Sequence, residues 1–228
     1  FHQFWATLAA YNDQLTGATE ESVEDVNRRF LIVSSTYDNL LEKAFQQKLA
    51  RFHVVSYVAH GDNKGKFRHT VYAKSGGDEP MAQPPTIIEQ ATTYGGLYDK
   101  DPVILKIPGT VGDTSGPRFA ITEDQYLDFF AKRELASILP SQLLTKLRSS
   151  NHLFLGYNVR EWSLRALLYR IWEDHKAPQA SFSVQGDPSE VEKRYWKACH
   201  VKIIERDLMA YLNGLRNSCQ TLLPGVQL

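Results

Sequence analysis

Chemistry needs side chains that move protons, attack as nucleophiles or hold metals, and such residues are sparse here. The 228 residues include seven histidines and two cysteines. His53, His152, His175 and His200 are scattered, and no HxxxH or HExxH pair occurs, so the spacing offers no metal site. Cys199 and Cys219 form no CxxC pair, which excludes a cysteine zinc site and implies no disulfide framework. His60 and His69 flank HGDNKGKFRH. Either could act as a base from a loop, and the plainer reading is a pair of solvated loop histidines. Lys64, Lys66 and Arg68 surround Phe67 in the same stretch. They could touch phosphate, and a solvated charged face is again the plainer reading.

One strand tip stands out. PVILKIPGT at 102–110 is an apolar run that stops at Pro108-Gly109. Runs of this kind read as buried parallel strands, and open α/β sheets place their chemistry at strand carboxyl ends. Here the tip carries a proline, which has no titratable group.

The elements that must position these residues alternate. Strands are expected at 30–35 (FLIVSS), 53–59 (HVVSYVA), 102–107 (PVILKI), 152–157 (HLFLGY), 180–185 (ASFSVQ) and 201–205 (VKIIE). Helices are expected at 38–48, from Thr122 to about Ser137, at 140–150, from Glu161 to Lys176, after Asp187-Pro188, and through DLMAYLNGLRNS. Thr122 with Gln125 forms a capping box. Asn158 with Glu161 is a second cap-like pair, and Asp187-Pro188 with Glu190 is a third start signal, cap then Pro at N1. Residues 60–101 are rich in Gly, Pro, Lys and Asp. They are expected as a long loop or small insertion, too long for an ordinary connection. The alternation argues for an α/β fold: a doubly wound, mostly parallel, Rossmann-like sheet.

Composition narrows the function. Lys+Arg and Asp+Glu both number 26, which argues against a nucleic-acid or membrane-surface binder driven by bulk charge. No apolar run approaches the ~20 residues of a membrane span. An intracellular, cytoplasmic protein is the expectation. No GxGxxG occurs, and GTVGDTSG at 109–116 has the wrong spacing for a phosphate loop. FHQFWATLAAYNDQL opens as a helix face without a start signal. The chain therefore reads as part of a longer protein, with the first strand and its glycines expected before Phe1.

Several segments in order resemble one family. SSTYDNLLEKAF at 34–45 is similar to the TTNYDxxLExAF segment of bacterial sirtuin-like domains. HGDNKGKFRHTVY is similar to their GEHRGKFxHxP loop, and PVILKIPGTVGD to PVILKIHGxVD. FAITEDQYLDFF is similar to FVITExxYxxYL. LFLGYNVREWSLRALLYRIW resembles LFLGYSLRDWxxRxLLxRIW. The matches run from about residue 26 to the carboxyl terminus.

The resemblance implies a single Rossmann-type domain over 1–228 that binds NAD. It implies hydrolysis of NAD+ to nicotinamide and ADP-ribose, a setting in anti-phage defence, and a homo-oligomer or an associated sensor module. The family's catalytic pair is an Asn in TTNYD and a His in KIHG. The Asn orients water or the ribose, and the His serves as base or hydrogen-bond partner to a ribose hydroxyl. This chain has Thr36 and Pro108 at those positions. Thr36 keeps a hydroxyl without the amide, and Pro108 offers neither donor nor acceptor. Asn158 stands where the family has Ser.

Cofactor-binding candidates by the same resemblance are Tyr37, Asp38, Gly109, Gly156, Tyr157 and Asn158. Asp38 is placed equally as a ligand contact or as the cap of helix 38–48. Arg160 and Glu161 are expected as a structural ion pair, and Trp162 as core. An alternative function is a catalytically inactive nucleotide-binding or scaffold module. Lysine deacylation is the weakest reading, because no zinc ribbon and no peptide-groove signature are present.

Overall fold

A computed structural model describes residues 1–17, 30–74, 79–97, 101–107, 109–110, 119–120, 122–131, 134–172, 176–177 and 180–222. The chain divides into two compact units, one of residues 1–142 with 227–228, the other of residues 143–226.

In the first unit, helix α1 (His2–Gly17) leads to β1 (Leu31–Ser34), α2 (Leu40–Lys48), β2 (Arg51–Tyr57), β3 (Phe67–Ala73), β4 (Met81–Ala82), β5 (Thr86–Ile88) and β6 (Val103–Lys106). Strand β6 lies between β1 and β2 and runs parallel to both. Its VILK sequence is buried throughout, as expected of a strand covered on both faces. One face packs on α1 and α2. Ala6 and Ala9 from α1, with Leu41, Ala44 and Phe45 from α2, meet Phe52, Val54 and Ile104 from the sheet. Small alanines on α1 let the two helices approach closely. Phe45 and Phe52 cross edge-to-face with centroids 5.4 Å apart. Each fully buried phenylalanine contributes about 1.5–3 kcal/mol.

The stretch 60–101, expected as a long loop or small insertion, carries strands β3, β4 and β5. FRHTVYA pairs antiparallel with RFHVVSY through seven residue pairs, from Arg51↔Ala73 to Tyr57↔Phe67. Residues 58–66 are the hairpin turn, where Gly65 adopts φ +87° and donates to the Val58 carbonyl at 2.8 Å. Only glycine enters that backbone region without a penalty. Strands β4 and β5 both pair antiparallel with β3. An antiparallel extension is thus added to a parallel core.

After β6 come α3 (Glu123–Ala131), α4 (Leu135–Ile138) and α5 (Ser141–Ser149). The helix expected from Thr122 to Ser137 is therefore not one element. Thr122 marks the start, and its backbone N–H donates to Gln125 Oε1 at 3.2 Å.

In the second unit, β7 (Leu153–Leu155), β8 (Ser181–Gln185) and β9 (Val201–Glu205) form a parallel sheet in sequence order. Helix α6 (Trp162–Ile171) connects the first pair and α7 (Glu190–Ala198) the second; α8 (Leu208–Leu222) follows β9. Phe154 sits at 4.8 Å from Trp196 and 6.0 Å from Trp172, centroid to centroid. The strand–helix–strand repeats and the mostly parallel core give the Rossmann-like α/β architecture expected from the sequence.

The start of α7 differs from expectation. Its cap is Ser189, not Asp187: the Ser189 side chain accepts from the Glu192 N–H, and the Glu192 carboxylate accepts from the Ser189 N–H. Asp187 has Glu190 at the same three-residue spacing, but the reciprocal box closes between Ser189 and Glu192. Trp162 is only half-buried, while Leu164, Leu167, Leu168 and Ile171 turn inward.

Candidate functional site

Strand β1 ends at Ser34, and the next four residues include Thr36, where the resemblance implies an Asn. The Ile107 N–H still bonds to the Ser34 carbonyl at 3.0 Å, so the tips of β1 and β6 stay paired. Thr36 is exposed. Its Oγ1 lies 2.9 Å from Ser34 Oγ, and its N–H donates to the same oxygen at 3.3 Å. The hydroxyl is thus engaged locally. An asparagine would present a donor and an acceptor together, whereas threonine has one hydroxyl already shared. Pro108 lies outside the described residues.

Tyr37 points away from this chemistry. Its hydroxyl donates to the Ala120 carbonyl at 2.9 Å and accepts from Tyr126 at 2.8 Å, while its ring packs on Phe119 at 4.8 Å. It is a strut between the 35–39 loop and the start of α3. Asp38 Oδ1 accepts from the Leu40 N–H at 2.9 Å, a turn bond just ahead of α2, whose N-cap is Asn39. Gly109 is buried, with φ +121°. Neighbouring Thr110 donates to the Tyr37 carbonyl at 3.4 Å.

Two groups were not singled out in the sequence, Lys106 beneath this loop and His2, which feels the charges of Asp38, Glu42 and Lys106. Lys106, fully buried at the end of β6, binds Glu42 Oε1 at 3.1 Å and donates to the Asp38 carbonyl. The ammonium fixes the backbone just after Thr36 and Tyr37. Both residues lie in the quoted segments, LLEKAF and PVILKI, where a charge inside an apolar run was the available signal. The other is His2. Burial lowers its pKa, opposed by the charges of Asp38 and Glu42, so the imidazole is neutral near neutral pH.

In the second unit, the carboxyl ends of β7, β8 and β9 surround a cavity of about 420 Å3. Gly156, Tyr157, Asn158 and Arg160 follow β7; Gln185 ends β8, with Gly186 and Asp187 after it; Asp207 and Leu208 follow β9. The volume falls in the range of about 300–1,000 Å3 typical of small-molecule sites. Gly156 holds φ +70°, and an added Cβ would meet only Leu208 Cδ2, at 3.8 Å. The backbone conformation, not the space, demands glycine there.

Three of the cavity's polar groups are positioned by their neighbours. Gln185 donates to the Tyr157 carbonyl at 2.9 Å. Asn158 Oδ1 accepts from the Arg160 N–H at 2.9 Å, closing a local turn and not capping α6. Asp207 Oδ1 accepts from the Ala210 N–H at 2.9 Å and caps α8. Arg160 faces Glu192 at 3.8 Å, so the ion pair expected with Glu161 is made with another carboxylate. The Ser189 bonds hold the Glu192 pKa below its ordinary value.

The histidine pair divides. His60 is exposed and donates to the Phe119 carbonyl at 3.2 Å. His69 is buried, contrary to the solvated-loop reading, because it belongs to β3. Among the described residues no group of three or more His, Cys, Asp or Glu side chains is arranged to hold a metal ion. Among the same residues no helix is long and apolar enough to cross a membrane.

The model of one family, described as SIR2-like domain, matches residues 31–204. The chain belongs to the SIR2-like domain family. The match starts at β1 and ends within β9, so it takes in both the Thr36 loop and the cavity beyond β7–β9 of this SIR2-like domain. No curated protein and no solved structure matches the chain significantly.

Proposed function

We propose that this SIR2-like domain binds NAD through the cavity at the ends of β7, β8 and β9 and does not hydrolyse it by the family's Asn–His chemistry. The observation that carries the reading is Thr36. Its hydroxyl is bonded to Ser34, and the sequence supplies proline, not histidine, at 108. Thr36 lacks the amide pair of donor and acceptor, and neither threonine nor proline is a base that could take a ribose hydroxyl proton. The cavity supports retained binding, since Rossmann-like sheets take nucleotides at strand carboxyl ends and its volume suits a nucleoside. In this reading the domain senses or holds a dinucleotide for an assembly, as a homo-oligomer or with a fused sensor module. A setting in anti-phage defence is what the family resemblance implies, and a cytoplasmic one is the expectation from cysteine usage.

His2 favours a second reading, in which hydrolysis persists through another base. Its burial-lowered pKa leaves a neutral imidazole among Asp38, Glu42 and Lys106. Nicotinamide release from NAD separates the two. The first reading expects NAD to bind without release, and release restored by Thr36→Asn with Pro108→His. Release by the unmodified protein that disappears in His2→Gln would replace the first reading with the second.

A further inference from the structure

On the sheet face opposite α1 and α2, four titratable side chains form a continuous hydrogen-bonded chain. His53 Nε2 lies 3.3 Å from Asp101 Oδ2. His53 Nδ1 lies 2.7 Å from His69 Nε2. His69 Nδ1 lies 2.7 Å from the Tyr94 hydroxyl. His53 is 0% exposed and His69 4%. Among the described residues, Asp101 and Arg51, themselves 3.1 Å apart, lie at one end of the pair and Tyr94 at the other.

The direction of each bond follows from one end. An ionised carboxylate only accepts, so His53 Nε2–H donates to Asp101. A neutral His53 then has a bare Nδ1, which accepts from His69 Nε2–H. His69 Nδ1 is bare in turn and accepts from the Tyr94 O–H. Every member is satisfied with both imidazoles neutral.

One added proton can enter without breaking the chain. It makes His53 an imidazolium beside Asp101, with Nδ1–H donating to His69 Nε2. The His69 proton shifts to Nδ1 and donates to the Tyr94 oxygen. A second proton cannot be held. Both imidazoles would then be charged, and N–H would face N–H across 2.7 Å.

Tyr94 is the link to a separate segment. Residues 89–97 lie outside the strands and bury Ala91 and Leu97. They also receive the start of α5: the Ser141 N–H donates to the Ala91 carbonyl and Gln142 to the Tyr94 carbonyl, each at 3.4 Å.

We propose that the Asp101–His53–His69–Tyr94 chain is an acid-sensitive latch that holds segment 89–97 on the β2–β3 hairpin, accepting one proton closed and a second only by opening. This device is independent of nucleotide binding. The open form binds more protons, so lowering the pH favours it. Where the closed form holds one proton and the open form two, the closed-to-open ratio falls about tenfold per pH unit. The transition lies at or below the ordinary imidazole value of about 6.5.

Amide hydrogen exchange on the whole chain, corrected for the intrinsic pH dependence, tests this. Protection of 89–97 is expected to fall about tenfold per pH unit below that value, while β8 stays protected. Replacement His69→Gln keeps one donor and one acceptor but cannot titrate, and should abolish the slope. Replacement Tyr94→Phe should leave 89–97 poorly protected already at neutral pH. A flat wild-type profile overturns the proposal. So does the same slope in β8, or its persistence in His69→Gln.

Discussion

The Lys106 ammonium lies 3.1 Å from Glu42 Oε1, with both side chains almost wholly out of water. Lys106 also reaches the Asp38 carbonyl, so one buried cation ties α2, the tip of β6 and the loop that carries Thr36. The pair's value lies more in placement than in net energy, because desolvating two charges offsets much of their attraction.

Breaking the pair from one side should be severe. Lys106→Met leaves a buried carboxylate unpaired and is expected to lower stability by about 3–5 kcal/mol. Lys106→Met with Glu42→Leu should recover most of that loss. Chemical denaturation of the two variants checks it, and equal losses would contradict this account of the pair.

Gly96 should tolerate no side chain without disturbing Tyr94. A Cβ built there would lie 2.6 Å from the Tyr94 oxygen, so the ring has to move away from His69. Gly96→Ala is expected to lower stability by about 1–3 kcal/mol, as overpacking does. It should also shift the His69 imidazole resonances in an NMR spectrum, while His152 stays unchanged.

His152 should contribute to acid sensitivity in the second unit. Burial lowers its pKa, only partly offset by a hydrogen bond to the Leu147 backbone. The folded state therefore takes up its proton at lower pH than the unfolded chain. Its contribution is fully present above about pH 6.5, the ordinary value, and is lost as pH falls through the lowered folded-state value. Replacement His152→Phe, which keeps a ring against Phe154 and Trp172, should flatten that part of the stability-versus-pH curve in denaturant titrations.

The cavity should discriminate against a 2′-phosphate. Asp187, Glu192 and Asp207 line it with Arg160 as the cation among them, and Glu192 already faces Arg160. A dianionic phosphate would sit among carboxylates, with its charge unfavourable at each. NADP is expected to bind at least about tenfold more weakly than NAD, which is about 1.4 kcal/mol. Calorimetric titration of both ligands checks this, and equal affinities would contradict it.

Much of the parallel core was legible because buried strands write themselves as apolar runs. VILK, FLIV, HVVSYV and VKIIE all became strands within a few residues of their expected ends. FRHTVYA did not read as a strand, because its inward side includes His69. That histidine looks polar in sequence but is satisfied by His53 and Tyr94 inside the fold, and only tertiary pairing reveals it. The start of α7 was misplaced because Asp187 and Ser189 are both capping types with a glutamate three residues on, and only the folded backbone shows that the Ser189–Glu192 pair closes. The Thr36 substitution was visible at once. That its hydroxyl turns to Ser34 depends on a backbone turn no spacing encodes.

The most direct test is an assay of nicotinamide release from NAD, run beside a binding titration on the same preparation. The unmodified protein and Thr36→Asn with Pro108→His are compared. The account predicts saturable NAD binding by both, no release by the unmodified protein, and measurable release by the double variant. Release by the unmodified protein, or failure of either to bind NAD, would contradict it.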